Sequence, residues 1–453
     1  MVLCLALPIK FIHTADIHLG SMLNISNEAV FKENSILKDA IFSAFRKIID
    51  YAIFYSVDFL LISGDLYDKD SISIKANNFF FHQCQRLSQK NIKVFIIGGN
   101  HDAFIIKREL FKMPPNVFLC ESEKLSEFEV LDENSNIIAR ICGESYRGKG
   151  DSRKMYSSYN PPSDGIFNIG MLHTELNPNS LNYVPCTLKN LKSNDNINYW
   201  ALGHIHKCSV LNEENPTVVF SGIPQGRDVG ETGIGGCIFV KVDDTRKIEL
   251  EFLATSSVIW DKIEININQN LDKTPENLTE LIELISNRSK SLKHTFSVIP
   301  KGFKNNEELS EIVKGYVIRW VITGRGNLKN IFEDTSDDIS EVICDELNSK
   351  FMQDDVFVFA DSIDVRIENS VTDYRKFLEN SGTIKKLYEL CERSRHEEKF
   401  KSELIESFGQ AWEENYDSEN LNILKAQLDK DAFDKILNEA KELIVMKFIK
   451  ENR

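Results

Sequence analysis

The chain has 453 residues, 42% of them hydrophobic and 27% charged, with a formal net charge of −15. That length exceeds what one hydrophobic core organises, so two or three domains of an ordinary soluble protein are expected. The acidity excludes a surface coated in nonspecific DNA-binding charge, although a phosphate site built on divalent cations brings its own positive charge. Nine cysteines without a C-x-x-C pair leave out zinc-ribbon and thioredoxin-like sites, and read as reduced thiols. The apolar opening from Val2 to Pro8 lacks a basic n-region and runs straight into a strand carrying site residues, so it does not read as a signal peptide. No run reaches the roughly 18–20 apolar residues of a membrane span. A cytoplasmic protein with no membrane partner is expected.

In chain order, Ile9 to Thr14 reads as an apolar strand that runs into Ala15-Asp16-Ile17-His18. Leu37, Ile41, Phe45, Ile48 and Ala52 recur at three- and four-residue spacing, which predicts a helix with one apolar face. Asp58 to Ser63 predicts a second strand, ending in Gly64-Asp65. Ser73 to Gln89 predicts another helix, and Lys93 to Ile97 a third strand ending in Gly98-Gly99-Asn100-His101-Asp102. This βαβαβ opening implies a parallel sheet, whose ligands bind beyond the carboxyl ends of the strands. Shorter strands follow at Glu127 to Leu131, Ile137 to Cys142, Phe167 to Leu172, Tyr199 to Leu202, Val218 to Phe220, Gly236 to Val242 and Ile248 to Leu253. A second sheet made of these and packed on the first gives a layered α/β sandwich. Arg147 to Asp164, rich in Gly, Ser, Lys, Tyr and Pro, reads as a surface loop.

A boundary near Thr255 to Asp261 opens a small α/β unit, with strands at Lys262 to Ile267, Tyr316 to Thr323 and Val356 to Ile367, and helices between them. From Val371 the chain is charged and helical. Ile384 to Phe408 and Asp431 to Lys450 carry apolar positions at helical spacing, and either pack on their own protein or dock a partner. The expected organisation is an α/β sandwich over 1–257, a small α/β domain over 258–370, and a helical segment over 371–453.

The chemistry lies in an ordered set: Asp16-x-His18, Gly64-Asp65, Gly99-Asn100-His101-Asp102, His173, and Gly203-His204-x-His206. Any one of these occurs by chance, but five of the nine histidines fall at ends of predicted strands. Core packing alone does not place polar residues there repeatedly. His13, inside the first strand, reads as structural. Carboxylates, imidazoles and an amide without thiolate favour Mn²⁺, Fe²⁺ or Zn²⁺, with Mg²⁺ also admissible.

The set resembles the calcineurin-like metallophosphoesterase superfamily, over about residues 10 to 255. The resemblance implies two divalent metal ions: Asp16, His18, Asp65 and His206 on one, Asp65, Asn100, His173 and His204 on the other, with Asp65 bridging. Two ions about 3.5–4 Å apart stabilise both the entering and the leaving oxygen of an in-line displacement. The resemblance places His101 beside them as general acid or hydrogen-bond donor, with Asp102 orienting it and Asp68 holding a ligand imidazole. Protein phosphatases of the superfamily carry an arginine where Lys69 follows Asp68, and purple acid phosphatases a tyrosine where this chain has Asp68. Those departures leave the nuclease branch.

Phe11-Ile12-His13-Thr14-Ala15-Asp16-Ile17-His18-Leu19-Gly20 looks like the opening of SbcD-type DNA-repair exonucleases. Ser221-Gly222-Ile223-Pro224-Gln225-Gly226-Arg227, then Glu231-Thr232-Gly233 and Gly236-Cys237, is similar to the YhaO-like members. Trp260 to Ile265, with Arg319 to Arg325, looks like their small capping domain. This resemblance implies Mn²⁺-dependent 3′-to-5′ exonuclease and endonuclease action on DNA, in repair or in defence against foreign DNA. It also implies a homodimer that works with an SMC-like ATPase of the SbcC kind, docked on helices after the cap. Arg227 either reaches a DNA phosphate or braces its loop through Glu231. Lys149, Arg153 and Lys154 form a basic loop, either a solvated surface or a track for the DNA backbone. Two competing readings are a small-molecule or cyclic-nucleotide phosphodiesterase, with the cap as lid, and a non-catalytic scaffold subunit.

Overall fold

Strand β1 (Ile9–Thr14) has both faces buried: Phe11 and His13 lie on one side, Ile12 and Thr14 on the other. A strand covered on both sides belongs in the middle of a sheet. In this computed structural model, residues 8–26, 34–68, 73–103, 113–269, 274–292, 300, 303, 309–333, 336–368, 382–397 and 399–404 are described, with 433, 437, 438, 440, 441, 443 and 444. The apolar opening before Pro8, Lys69 and most of the predicted helix over 431–450 lie outside the described residues.

From β1 a parallel ladder runs to β2 (Phe59–Ser63), β3 (Lys93–Ile97) and β4 (Val117–Leu119), with Phe11 beside Phe59 and Phe59 beside Lys93. The crossovers are α1 (Ser35–Phe54) and α2 (Ile74–Ser88). Asn34 caps α1, its side-chain oxygen accepting from the Ile36 and Leu37 amides at 2.9 and 3.1 Å. The predicted stripe of Leu37, Ile41, Phe45 and Ile48 packs on Ile12, Leu60, Ile62 and Val94, forming the core on one face of the sheet.

The second sheet contains β5 (Ser126–Leu131), β6 (Ile137–Gly143), β7 (Phe167–His173), β8 (Tyr199–Gly203), β9 (Ser209–Asn212) and β10 (Thr217–Phe220), in the order β5-β6-β7-β8-β10-β9. The two sheets face one another through Phe11, Phe59, Leu61 and Phe95 on one side and Ile141, Ile169, Met171 and Tyr199 on the other. The outer face of the second sheet is covered by Met155, Tyr159 and α3 (Leu188–Lys192), packed around Trp200. This is the layered α/β sandwich.

One expectation is corrected. Strands β11 (Gly236–Val242) and β12 (Ile248–Ala254) do not extend the second sheet; β11 pairs antiparallel with β1, and β12 with β11. Ile238 and Val240 face the inter-sheet core while Phe239 faces the helix layer, so β11 is apolar on both sides. Local periodicity identified the strands but carries no information on which neighbour they join.

A third sheet, in the order β13-β14-β15, comprises β13 (Val258–Asn266), β14 (Gly315–Arg325) and β15 (Phe357–Glu368). Its first two strands are parallel, from Val258 beside Gly315 to Asn266 beside Thr323. Helices α4 (Leu278–Leu292) and α5 (Ser336–Phe351) accompany it. Strand β13 starts at Val258 rather than at Lys262, so it follows β12 almost directly. Val258, Trp260, Val317, Phe357 and Phe359 join the same core as α1. Residues up to Gly324 therefore form one compact unit with Asn330–Ile367. The other unit, Arg325–Lys329 with Glu368–Arg453, contains α6 (Gly382–His396), where Cys391 packs with Leu387, Leu404, Phe433 and Leu437. Among the described residues no helix is long and apolar enough to cross a membrane.

Candidate metal centre

The loops leaving β1 and β2 stay paired beyond the strands: the Asp16 amide donates to Gly64 O, His18 to Asp65 O, and Leu19 to Leu66 O, at 2.7–3.0 Å. To turn over the sheet edge, Asp16, His18 and Asp65 take φ near +50°, and His204 takes +100°. Such left-handed conformations cost non-glycine residues about 1–3 kcal/mol each and cluster where side-chain direction matters more than stability. Two glycines leave room for the ligands. A Cβ on Gly64, which has φ +96°, would lie 2.3 Å from His173 Nδ1, and one on Gly99 would lie 2.2 Å from Asp65 Oδ1.

Seven predicted ligands converge on this edge. Asp16, His18 and His206 each bring one ligand atom within 4.8 Å of the others, and so do Asp16, Asp65 and His173. Asn100 Oδ1 lies 3.0 Å from His173 Nε2 and 3.2 Å from His204 Nδ1, and Asp65 Oδ2 lies 3.4 Å from His173 Nε2. His206 Nε2 points to Asp16 Oδ1 at 3.9 Å.

These residues fit divalent cations. His18 is fully buried, yet neither ring nitrogen has a hydrogen-bond partner, and an unsatisfied buried polar group costs about 1–3 kcal/mol. Burial and the nearby Arg227 charge push His18 down to about 3, so its imidazole is neutral, the form that ligates. Burial pushes Asp16 up to about 6, against the pull of His173 and His206. Burial also raises Asp65, but the charge and hydrogen bond of His173 outweigh it and hold its carboxyl below the usual range. Burial lowers His173, but the charge and hydrogen bond of Asp65 outweigh it and push it up to about 9, so its imidazolium supplies the positive charge that a divalent cation would supply between the two carboxylates. Asp16, His18, Asp65 and His206 would hold one ion, and Asp65, Asn100, His173 and His204 the other.

Neighbours fix the ligand rings. His173 Nδ1 donates to Ser63 O at 2.9 Å, leaving Nε2 for the centre, and Tyr146 OH donates to His173 O at 3.0 Å. His206 Nδ1 donates to Glu231 Oε1 at 2.6 Å, leaving Nε2 toward Asp16. The Tyr183 ring lies against that of His204, with centroids 4.7 Å apart. Sequence reasoning missed the His206 contact of Glu231, although Glu231-Thr232-Gly233 was one of its motifs, and missed Tyr183, which no motif marks.

His101 is the most open of the set, its side chain 42% exposed, and its Nδ1 donates to Asp68 Oδ1 at 3.1 Å. The expected Asp102 contact is corrected here. Asp102 accepts from the Gly99, Leu66 and Tyr67 amides at 2.7, 2.8 and 3.3 Å, so it ties the β2 and β3 loops together. Asp68 orients His101, and also lies 4.0 Å from His18 Nδ1. The Arg227 guanidinium reaches Glu231 Oε1 at 3.0 Å and Asp68 Oδ2 at 3.6 Å, the contacts of the bracing reading. Arg153 is held by Glu144 and Asp151, which takes it out of the basic loop. His13 contacts the Tyr199 hydroxyl and Leu202 O at 3.0 and 3.2 Å, inside the core.

The family model of the calcineurin-like phosphoesterases matches residues 9–208. The metallophosphoesterase YhaO of Bacillus subtilis strain 168 is 34% identical over 290 residues, covering 63% of this chain and 68% of that protein. The DNA double-strand break repair protein Mre11 of Methanocaldococcus jannaschii is 30% identical over 220 residues, 47% of this chain and 55% of that protein. The chain thus spans just over half the length of that relative. Among solved structures, a dimetal phosphatase from Danio rerio aligns over 55% of this chain and 98% of its own at 9% identity, with a TM-score of 0.34. With 34% identity to YhaO over 290 residues that span 68% of that protein, and the family match running from β1 through His206, this chain belongs to the calcineurin-like metallophosphoesterases.

Proposed function

We propose that this metallophosphoesterase is a Mn²⁺-dependent DNA nuclease, acting as a 3′-to-5′ exonuclease and an endonuclease in repair or in defence against foreign DNA. We place it in a homodimer with an SMC-like ATPase. The observation that carries the reading is the run of Mre11 relatives, named for DNA double-strand break repair, whose similarity to this chain accompanies the candidate metal-binding groups Asp16–His18–His206 and Asp16–Asp65–His173.

When bound, a pair of divalent cations supplies Lewis-acid stabilisation of the charge developing on a phosphodiester, and acidifies a water. The protein's part follows from its own geometry. The rings of His173 and His206 are locked by Ser63 and Glu231, so each presents Nε2 to the centre without a rotamer search. His101, with Nδ1 held by Asp68, presents Nε2 to a leaving oxygen, where it donates a proton or a hydrogen bond. Asp102 keeps the loops under Asp65 and Asn100 from separating.

Purified chain and Mn²⁺ incubated with labelled DNA, beside a panel of cyclic and linear nucleotides, tests the reading. Shortening of DNA from 3′ ends is the expected result. Fast turnover of a cyclic nucleotide with intact DNA would make the chain a small-molecule phosphodiesterase instead.

A further inference from the structure

The two candidate metal positions are supported from different parts of the fold. Around His173 and His204 the contacts come from the sandwich itself: Ser63 O, Tyr146, Asn100 and Tyr183. Around His18 and His206 they lead to the third sheet.

Glu231, which receives His206 Nδ1, lies on the segment from Ser221 to Gly235, and that segment is stitched to β13. Gln225 Nε2 donates to Val258 O at 2.7 Å, and the Val258 amide donates to Gln225 Oε1 at 3.2 Å. Trp260 Nε1 donates to Gly226 O at 3.1 Å, and the Gly233 amide donates to Trp260 O at 3.0 Å. A Cβ on Gly226 would lie 2.5 Å from Glu231 O and 3.3 Å from the Trp260 ring, so backbone and indole touch there. The loop that follows His18 is gripped as well. Ser21 Oγ donates to Asp68 Oδ2 at 3.3 Å, the Asn24 amide to Arg227 O at 2.8 Å, and the Ser26 amide to Asp361 Oδ1 of β15 at 2.8 Å. Both loops serving the Asp16–His18–His206 cluster therefore end on the third sheet. Among the described residues, the contacts given above for the Asn100–His173–His204 cluster include none from it.

We propose that the third sheet is a positioning platform for one cation position only. It holds Glu231 against His206 through Trp260 and Gln225, and the His18 loop through Asp361. Glu231, Trp260 and Asp361 are positioning residues that set affinity at the Asp16–His18–His206 cluster and leave the other unchanged. The inference rests on the metal-site reading and is indifferent to whether the substrate is DNA.

Calorimetric Mn²⁺ titration of the full chain and its variants tests it without any substrate. Wild-type protein should bind two ions; if it binds none, the metal-site reading itself fails. Glu231→Ala should weaken one ion by about 10–100-fold, the usual effect of removing a partner behind a ligand histidine. Trp260→Phe and Asp361→Ala should each weaken that same ion several-fold. Pairing Trp260→Phe with Glu231→Ala should be no weaker than Glu231→Ala alone, because the indole acts through the carboxylate. Melting curves of the metal-free variants report general loss of structure. Equal weakening of both ions, full additivity of the pair, or wild-type titrations for Glu231→Ala would each overturn the proposal.

Discussion

Asp68 Oδ1 lies 3.1 Å from His101 Nδ1, and so the carboxylate three residues beyond Asp65 orients the one open histidine of the centre. A charged acceptor on Nδ1 fixes which ring nitrogen faces the centre. His101→Ala should lower turnover by about 10²–10⁴-fold, the range of general acid–base catalysis, while Mn²⁺ titrations stay those of wild type. Asp68→Asn should lose less, because the amide still contacts the ring. Undiminished turnover in His101→Ala would remove the histidine from the chemistry.

The expected sharing of the Asp65 carboxylate, whose Oδ2 lies 3.4 Å from His173 Nε2, between two ions gives a second test. Asp65→Asn should weaken both ions at once, whereas His18→Ala and His173→Ala should each weaken mainly one. Equal partial loss of a single ion in all three, read by titration, would mean that Asp65 does not bridge.

Gly99 offers a test by crowding. A Cβ there would lie 2.2 Å from Asp65 Oδ1 and 2.8 Å from His173 Nε2, on side chains held by the His101 amide and by Ser63 O. Gly99→Ala should fold, with far-ultraviolet circular dichroism like that of wild type, yet bind Mn²⁺ about 10–100-fold more weakly, in line with disrupting ligand placement. Unchanged titrations would show that the loop yields.

His13 gives a pH effect separate from the metals. Burial pushes it down to about 3 despite its contact with Leu202 O, so the folded state holds it neutral while the unfolded chain protonates it near 6.5. With the folded value depressed, the unfolded state binds more protons in this window. Stability is therefore full above about 6.5 and falls as the pH drops toward 3. Between pH 7.5 and 5.5 the loss is about 1.4 kcal/mol from this group. Denaturant unfolding of His13→Gln should show a pH dependence shallower by that amount; an identical slope would mean that the buried ring does accept a proton.

Much of this was legible in the sequence because its signals are local. Apolar runs ending in Gly-Asp or Gly-Asn-His located β2, β3 and their ligands, since a strand buried on both faces leaves polar residues only at its ends. What escaped depends on contacts distant in sequence. The return of β11 to β1, and the reach of Glu231 back to His206 across the loop, leave no periodic trace. Asp102 and Asp68 both sit near His101 in the expected order, and only the loop path decides that Asp102 faces backbone amides while Asp68 faces the ring.

The left-handed turns at Asp16, His18, Asp65 and His204 would make a divalent cation held there a folding ligand. Strained backbone, enclosed carboxylates and an imidazole without a hydrogen bond all burden the metal-free state, and an ion that binds only the folded chain offsets them by mass action. At one hundred times its dissociation constant, such an ion adds about 2.7 kcal/mol. The melting temperature of this protein should therefore rise with free Mn²⁺, and its resistance to proteolysis should record how far its centre is filled.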